Sequence, residues 1–121
     1  MGVTMSCIRI TLGEVELKVK QLLIEGETLE LAFQKSNVRY EFVIFTNKRL
    51  IKVGVERNKA VYITIPYKNM TTYKVEAAQP DGEKVVLHIE TNRHQGRHVW
   101  EQFNSNQDIL EVQRLIAKYI L

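Results

Sequence analysis

The sequence predicts a mainly β domain: a small antiparallel barrel or sandwich of seven strands, capped by a C-terminal α-helix. Between residues 27 and 104, apolar and polar residues alternate in short runs that are separated by turn-forming residues. Such runs are typical of half-buried strands. From Asp108 onward, apolar residues recur at helical spacing instead. This change of period predicts one amphipathic helix over residues 106–120, packed on the sheet.

The N-terminal stretch GEVELKVKQLLI fits two structures. Val15, Leu17 and Val19 alternate as in a strand, whereas Val15, Val19 and Leu22 would share one face of a helix. The abundance of Glu, Leu, Lys and Gln favours the helix, which should end near Gly26.

Seven strands are predicted after this segment. In each of them, alternate side chains should share a face, as Leu29, Leu31 and Phe33 do in the first one. The fifth strand leads into the turn formed by Pro80, Asp81 and Gly82. In chain order the strands are ETLELAFQ, RYEFVIFT, RLIKVGV, AVYITIPY, TYKVEA, KVVLHIET and RHVWEQF.

The four residues TNKR connect the second and third strands. The Thr46 hydroxyl can bond a backbone N–H further along, and Asn47 tolerates a left-handed backbone, so this stretch is predicted to be a tight turn. As surface-turn substitutions, Lys48→Ala and Arg49→Ala should each change stability by less than about 0.5 kcal/mol. Asn47→Val should cost more, because a β-branched residue resists a left-handed backbone.

The chain has 121 residues, of which 45% are hydrophobic and 26% charged, which is the composition of an ordinary globular domain. We expect a single domain with an N-terminal segment (1–24), a β-barrel (27–104) and a C-terminal helix (106–120). No apolar run approaches the roughly 18 residues of a membrane span, and the N-terminus lacks a signal-peptide pattern. With Cys7 as its one cysteine, the chain is expected in the reducing cytoplasm, with the inner membrane face as the alternative.

Catalytic chemistry has little support in the sequence. His88, His94 and His98 do not form a metal-ligand pattern, and no nucleophile motif or glycine-rich phosphate loop is present. Glu25 and Glu27 flank a glycine and are predicted to be solvated carboxylates of an exposed turn. We therefore expect no enzyme activity and no catalytic, cofactor or metal site.

Four stretches resemble the successive signature blocks of the small, stand-alone bacterial pleckstrin-homology domain family: LLIEGETLELAF, VIFTNKRLIKV, ITIPYKNMTTYKVEAA and DILEVQRLIAKYIL. The resemblance implies a seven-stranded barrel with a C-terminal helix and a ring-shaped homo-oligomer whose biochemical role is largely unknown. Two connections depart from the family pattern. QKSNVRYEF is longer than usual and lacks an Asp, and GVERNK is shorter than the usual glycine-containing loop.

The middle of the chain is strongly basic, with nine basic and two acidic residues from Lys35 to Lys74. Strand alternation places Lys48 and Lys52 on the face opposite Ile51, where they could present charge together. An anionic lipid could bind at this region, by analogy with eukaryotic pleckstrin-homology domains. The candidate anionic-ligand patch consists of Lys48, Arg49, Lys52, Arg57 and Lys59.

This patch is expected to bind an anionic ligand only weakly. At about 1 kcal/mol per basic residue near an anionic membrane, it supplies at most ~5 kcal/mol. A single chain with so little binding energy would not stay on a membrane, so membrane binding would depend on the avidity of a ring with many copies. Nucleic acid is a less favoured partner, because the nearby aromatic residues look like strand packing, not a stacking platform: Phe42, Phe45, Tyr62 and Tyr67.

The strand YEFVIF is apolar on both faces, so both faces should be covered. The second face could meet the N-terminal segment, the C-terminal helix or a neighbouring copy of the chain. The helix also has more apolar residues than one contact face needs. The candidate contacts between copies are Val43, Phe45, Leu110 and Leu121. The favoured function is therefore a non-enzymatic interaction and assembly module that binds itself, with anionic lipid or another protein as further partners.

Overall fold

The computed structural model describes residues 7–35, 41–77, 85–91, 98–103 and 106–120. It contains two α-helices and eight strands, with short 3-10 turns over Lys20–Leu22 and Tyr67–Asn69. The helices are α1 (Leu12–Val19) and α2 (Asn106–Ile120). The strands are β1 (Cys7–Arg9), β2 (Leu29–Lys35), β3 (Phe42–Thr46), β4 (Arg49–Glu56), β5 (Lys59–Pro66), β6 (Met70–Ala77), β7 (Val85–Thr91) and β8 (His98–Phe103).

All eight strands belong to one sheet, in the order β5-β4-β3-β2-β1-β8-β7-β6. The seven predicted strands and the C-terminal helix are confirmed, and the N-terminal segment is helical as predicted, although α1 ends at Val19 and not near Gly26. β1 was not predicted, because three residues are too few to show a period. It pairs antiparallel with β2 and parallel with β8 through Cys7 and Phe103, so it joins the sheet's two halves. In the described part of the chain, β5 and β6 each have one edge that pairs with no other strand.

The inner face of the sheet is covered by α2, as the sequence predicts. Ile109, Val112 and Ile116 of α2 are buried in a cluster that contains Phe33 and Phe45. The phenylalanine rings meet edge to face, with centroids 6.1 Å apart. Edge-to-face ring pairs stabilise a fold by more than the burial of their apolar surface alone.

The outer face of the sheet's first half is covered by α1. Val15 and Val19 are buried against Ala32, Ile44 and Ile51. The two-sided apolar strand is therefore covered within one chain, by the N-terminal segment. All five residues of β3 are buried as a result.

Two of the candidate contacts between copies are wrong, because their side chains lie on the inner face of the sheet. Val43 and Phe45 lie in the inner cluster, 1% and 0% exposed. They pack inside the chain and are not available to a second copy. One predicted side-chain direction is also wrong: Leu29 packs in the outer cluster, while Leu31 and Phe33 lie in the inner one. The register shifts between Leu29 and Leu31, and such a bulge moves a side chain to the other face.

Candidate functional site

The TNKR turn is built around the Thr46 hydroxyl. Its oxygen accepts hydrogen bonds from the backbone N–H groups of Lys48 and Arg49, both at 3.0 Å. Thr46 thus closes the turn by side-chain chemistry, as predicted. The left-handed backbone predicted at Asn47 is wrong, since positive φ among the described non-glycine residues occurs at Arg57 and Asn58.

The Asn47 side chain holds the loop that precedes β2. Its Oδ1 accepts from the Thr28 N–H at 2.8 Å, and its Nδ2 donates to the Gly26 carbonyl at 3.0 Å. The Asn47 N–H also donates to the Thr28 carbonyl. Gly26 has a φ of +80°, a conformation that favours glycine, so the loop can turn back toward Asn47.

Arg49 completes this connection through an ion pair with Glu27. Its Nε and Nη2 donate to the two carboxylate oxygens of Glu27 at 2.8 and 2.9 Å, and Nη2 also donates to the Leu22 carbonyl at 2.6 Å. The Glu27 side chain is 0% exposed and that of Arg49 is 19% exposed. We call Glu27, Thr46, Asn47 and Arg49 the hairpin latch.

The latch overturns two sequence predictions. Glu27 is a buried structural carboxylate, not a solvated turn residue, and Arg49 is engaged inside the chain, not presented to a ligand. Burial raises the pKa of Glu27, but hydrogen bonds from Arg49, Thr46 and the Ile24 N–H outweigh burial and hold the pKa below its ordinary value. Glu27 is therefore ionised at neutral pH.

Lys52 also points into the fold. It lies opposite Val43 in the sheet, on the inner face, and its Nζ is 2.5 Å from Glu101 Oε1. Lys35 approaches the same carboxylate oxygen at 3.5 Å. The Glu101 side chain is 6% exposed, so this cluster is an internal ion pair, and Lys52 does not belong to an open basic patch.

Cys7 touches the same carboxylate, with its Sγ 3.7 Å from Glu101 Oε2. Burial, reinforced by the negative charge of Glu101, raises the pKa of the Cys7 thiol. Since the thiolate is the reactive form, this thiol is inert.

A small cavity of about 140 Å³ adjoins this ion cluster. Its charged lining consists of two lysines, Lys35 and Lys52, and two carboxylates, Glu41 and Glu56, so the formal charges around it balance, and Glu41 lies 4.0 Å from Lys35. The cavity therefore offers little attraction to an anion. Its lining consists of Lys35, Glu41, Phe42, Lys52, Val53, Gly54, Val55, Glu56, Val61 and Ile63.

The remaining basic residues of the patch lie apart. Lys48 is exposed beside the first residue of β4, while Arg57 and Lys59 are exposed just beyond its last residue. A strand rises about 3.3 Å per residue, so the eight residues of β4 separate the two groups by roughly 25 Å. The structure therefore does not bring the five patch residues together.

The aromatic residues near the patch divide in the same way. Phe42, Phe45 and Tyr67 are buried, as predicted. Tyr62 is 49% exposed, which corrects its assignment to strand packing. It lies opposite Val53 on the outer face, and Val55 on that face is 45% exposed.

The described residues contain no group of three His, Cys, Asp or Glu side chains that could hold a metal ion. His88 lies 3.5 Å from Glu76 on the outer face of the β6–β7 pair. His94 and Leu121 lie outside the described residues. Within the described ranges, neither helix has the length and hydropathy to cross a membrane.

Comparison with known proteins identifies the family. The chain matches the family model for the bacterial pleckstrin-homology domain over residues 1–120, and it belongs to that family. It is 31% identical over 111 residues to the uncharacterized protein YjqA of Bacillus subtilis (strain 168), covering 89% of this chain and 86% of that protein.

Solved structures show the same fold. A pleckstrin-homology-domain protein from Shewanella loihica PV-4 is 25% identical, with a TM-score of 0.79, and the match covers 96% of this chain and 98% of that one. A pleckstrin-homology domain from Shewanella amazonensis SB2B is 28% identical, with a TM-score of 0.69 and coverages of 93% and 90%. The family resemblance and the fold expected from it are confirmed.

The hairpin latch is the feature that the sequence prediction missed. Glu27 and Arg49 are distant in sequence, and each looks like an ordinary turn residue. The available signal was their position: both lie in stretches that resemble family blocks, EGETLELAF and FTNKRL. Those blocks meet in the latch, where they stabilise the fold.

Proposed function

We propose that this chain is a non-enzymatic assembly module that closes into a ring-shaped homo-oligomer. The carrying observation is that the sheet ends in two different strands, β5 and β6, each with an unpaired edge within the described residues. An unpaired edge is a template for pairing with another chain. When unlike surfaces of identical copies meet head to tail, the assembly forms a ring if the rotation closes.

The side chains along these edges support the same proposal. Ile63 of β5 and Tyr73 and Val75 of β6 pack on the inner cluster but stay partly exposed. A neighbouring copy would complete their burial, and that burial is the main favourable term in most associations between proteins. On α2, Leu110 is 49% exposed and stays a candidate for a second contact.

Multi-angle light scattering of the purified chain tests this proposal. We expect one discrete species with a mass of at least three 14.1 kDa subunits. A monomer at high protein concentration would contradict the proposal, and so would a dimer that does not grow further.

The second candidate function is weak binding to an anionic membrane surface. The β4–β5 turn favours it, because exposed Val55 lies near exposed Arg57 and Lys59. Two basic residues at about 1 kcal/mol each supply only ~2 kcal/mol per chain, so binding would depend on a ring's many copies.

Co-sedimentation with vesicles tests this second candidate. Binding should require anionic lipid and should be lost at high salt or in the double variant Arg57→Ala/Lys59→Ala. Lys48→Ala, at the other end of β4, is the matched control and should bind as the wild type does. Equal binding to neutral vesicles, or no binding by the assembled wild type, would exclude this function.

A further inference from the structure

We infer that the β5 edge of one copy pairs antiparallel with the β6 edge of the next copy, with Tyr62 opposite Lys74. This inference rests on the proposed ring assembly and names its interface. Three features lead to it: the direction of the backbone groups of β5, the two half-buried apolar rows, and the exposed side chains on the other face.

Among the described residues, the backbone of β5 has groups that point away from β4 and pair with no other strand. The Tyr67 N–H donates to the Lys48 carbonyl at 3.4 Å, so Tyr67 directs its backbone toward β4. In an antiparallel ladder this direction alternates from residue to residue. Three residues of β5 therefore direct their N–H and C=O groups away from β4: Ala60, Tyr62 and Thr64.

The inner faces of the two edges match in this register. Placing Tyr62 opposite Lys74 brings Ile63 opposite Tyr73, two side chains that each copy leaves partly exposed over its inner cluster. It also brings Val61, which is partly buried, opposite Val75. Aromatic and β-branched side chains are favourable partners across strands. A slip of one residue would set these apolar side chains against polar ones.

The outer faces match as well. Tyr62 is 49% exposed, and the Lys74 side chain is also exposed. A lysine ammonium over a tyrosine ring is a favourable contact. The same register brings Thr64 opposite Thr72, a pair that can hydrogen-bond across strands.

Head-to-tail pairing uses both edges of every copy through a single kind of contact. Pairing β5 with a second β5 would close a dimer and leave Tyr73 and Val75 of β6 partly exposed. Pairing β6 with β6 would leave Ile63 of β5 partly exposed. The unlike pairing therefore covers the apolar side chains of both edges with one interface.

Disulfide trapping tests this register. Tyr62→Cys and Lys74→Cys are made in separate chains of different tagged mass and co-expressed, so that each ring contains both. Cys7 is 0% exposed and should not react. On oxidation we expect a covalent dimer that joins the two tags and few dimers of either variant with itself. Glu56→Cys with Lys74→Cys is the matched control and should not cross-link.

A proline at the β5 edge tests the inference independently. Thr64→Pro removes an N–H that points away from β4, so it should keep the fold but block edge pairing and give a monomer. Thr64→Val keeps that N–H and should assemble as the wild type does. Should Thr64→Pro fail to fold, as judged by circular dichroism, the disulfide result decides.

The outcomes separate this inference from the proposed function. A wild-type monomer would overturn both. A wild-type oligomer with no mixed cross-link would overturn the inference alone, as would an oligomer that persists in folded Thr64→Pro. Self cross-links as abundant as mixed ones would also overturn it.

Discussion

Arg49→Ala should destabilise the fold strongly, although Arg49 lies in a surface turn. The substitution removes the donors to both Glu27 oxygens and to the Leu22 carbonyl. It leaves Glu27, whose side chain is 0% exposed, with the Thr46 hydroxyl and the Ile24 N–H as its donors. Removing one member of a buried ion pair costs about 3–5 kcal/mol. Since Arg49 is 19% exposed, we expect the lower end, about 3 kcal/mol.

The assay is urea denaturation followed by circular dichroism, at one fixed protein concentration because assembly would add to the apparent stability. Lys48→Ala is the matched control, since Lys48 is the exposed neighbour in the same turn. It should change the free energy of unfolding by less than about 0.5 kcal/mol. From the sequence, both substitutions were predicted to have little effect on stability. The structure predicts a large effect for Arg49→Ala alone.

A double-mutant cycle with Glu27→Ala isolates the pair. If the latch holds the fold as described, the double variant should lose much less than the sum of the two single losses. A loss below about 1 kcal/mol for Arg49→Ala alone would refute the reasoning, because a charge buried without its partner cannot cost so little.

Four further outcomes are expected. The pKa of Glu27 lies below its ordinary 4.5, so its contribution to stability should be complete above that pH and should disappear as pH falls through the lower folded value; Glu27→Gln should flatten this part of the pH–stability curve, and a curve parallel to the wild type would contradict it. Asn47→Val should cost about 1–2 kcal/mol through lost hydrogen bonds to the loop, measured by urea denaturation, and a neutral result would show that those bonds do not hold it. Ile116→Ala should lower the free energy of unfolding by ~2–5 kcal/mol, because Ile116 is fully buried. An unchanged free energy of unfolding in this variant would contradict the assignment of Ile116 to the core. Leu110→Asp should keep its circular dichroism melt but shift the mass in light scattering; an unfolded chain or an intact oligomer would exclude this contact.

Much of the fold could be predicted from the sequence because its signals are periodic and local. The strand AVYITIPY shows its period without help from distant residues, and the apolar spacing of Ile109, Val112 and Ile116 fixes the face of α2. The bulge near Leu29 was not visible, because a register shift depends on the partner strand.

The site was harder to predict because it depends on contacts between distant residues. Arg49 and Lys52 look like exposed cations in sequence, and only the fold brings Glu27 and Glu101 to them. Strand alternation correctly predicted that Lys52 and Ile51 lie on different faces of β4. It could not tell that the face of Lys52 is turned into the fold.

Native mass spectrometry of the wild-type chain tests the central claim most directly, because it counts subunits. The two unlike edges predict one closed stoichiometry of three or more 14.1 kDa chains that does not change over a wide range of protein concentration. A monomer or a lone dimer would contradict the account. So would a mass that keeps growing with concentration, because that is the behaviour of an open filament.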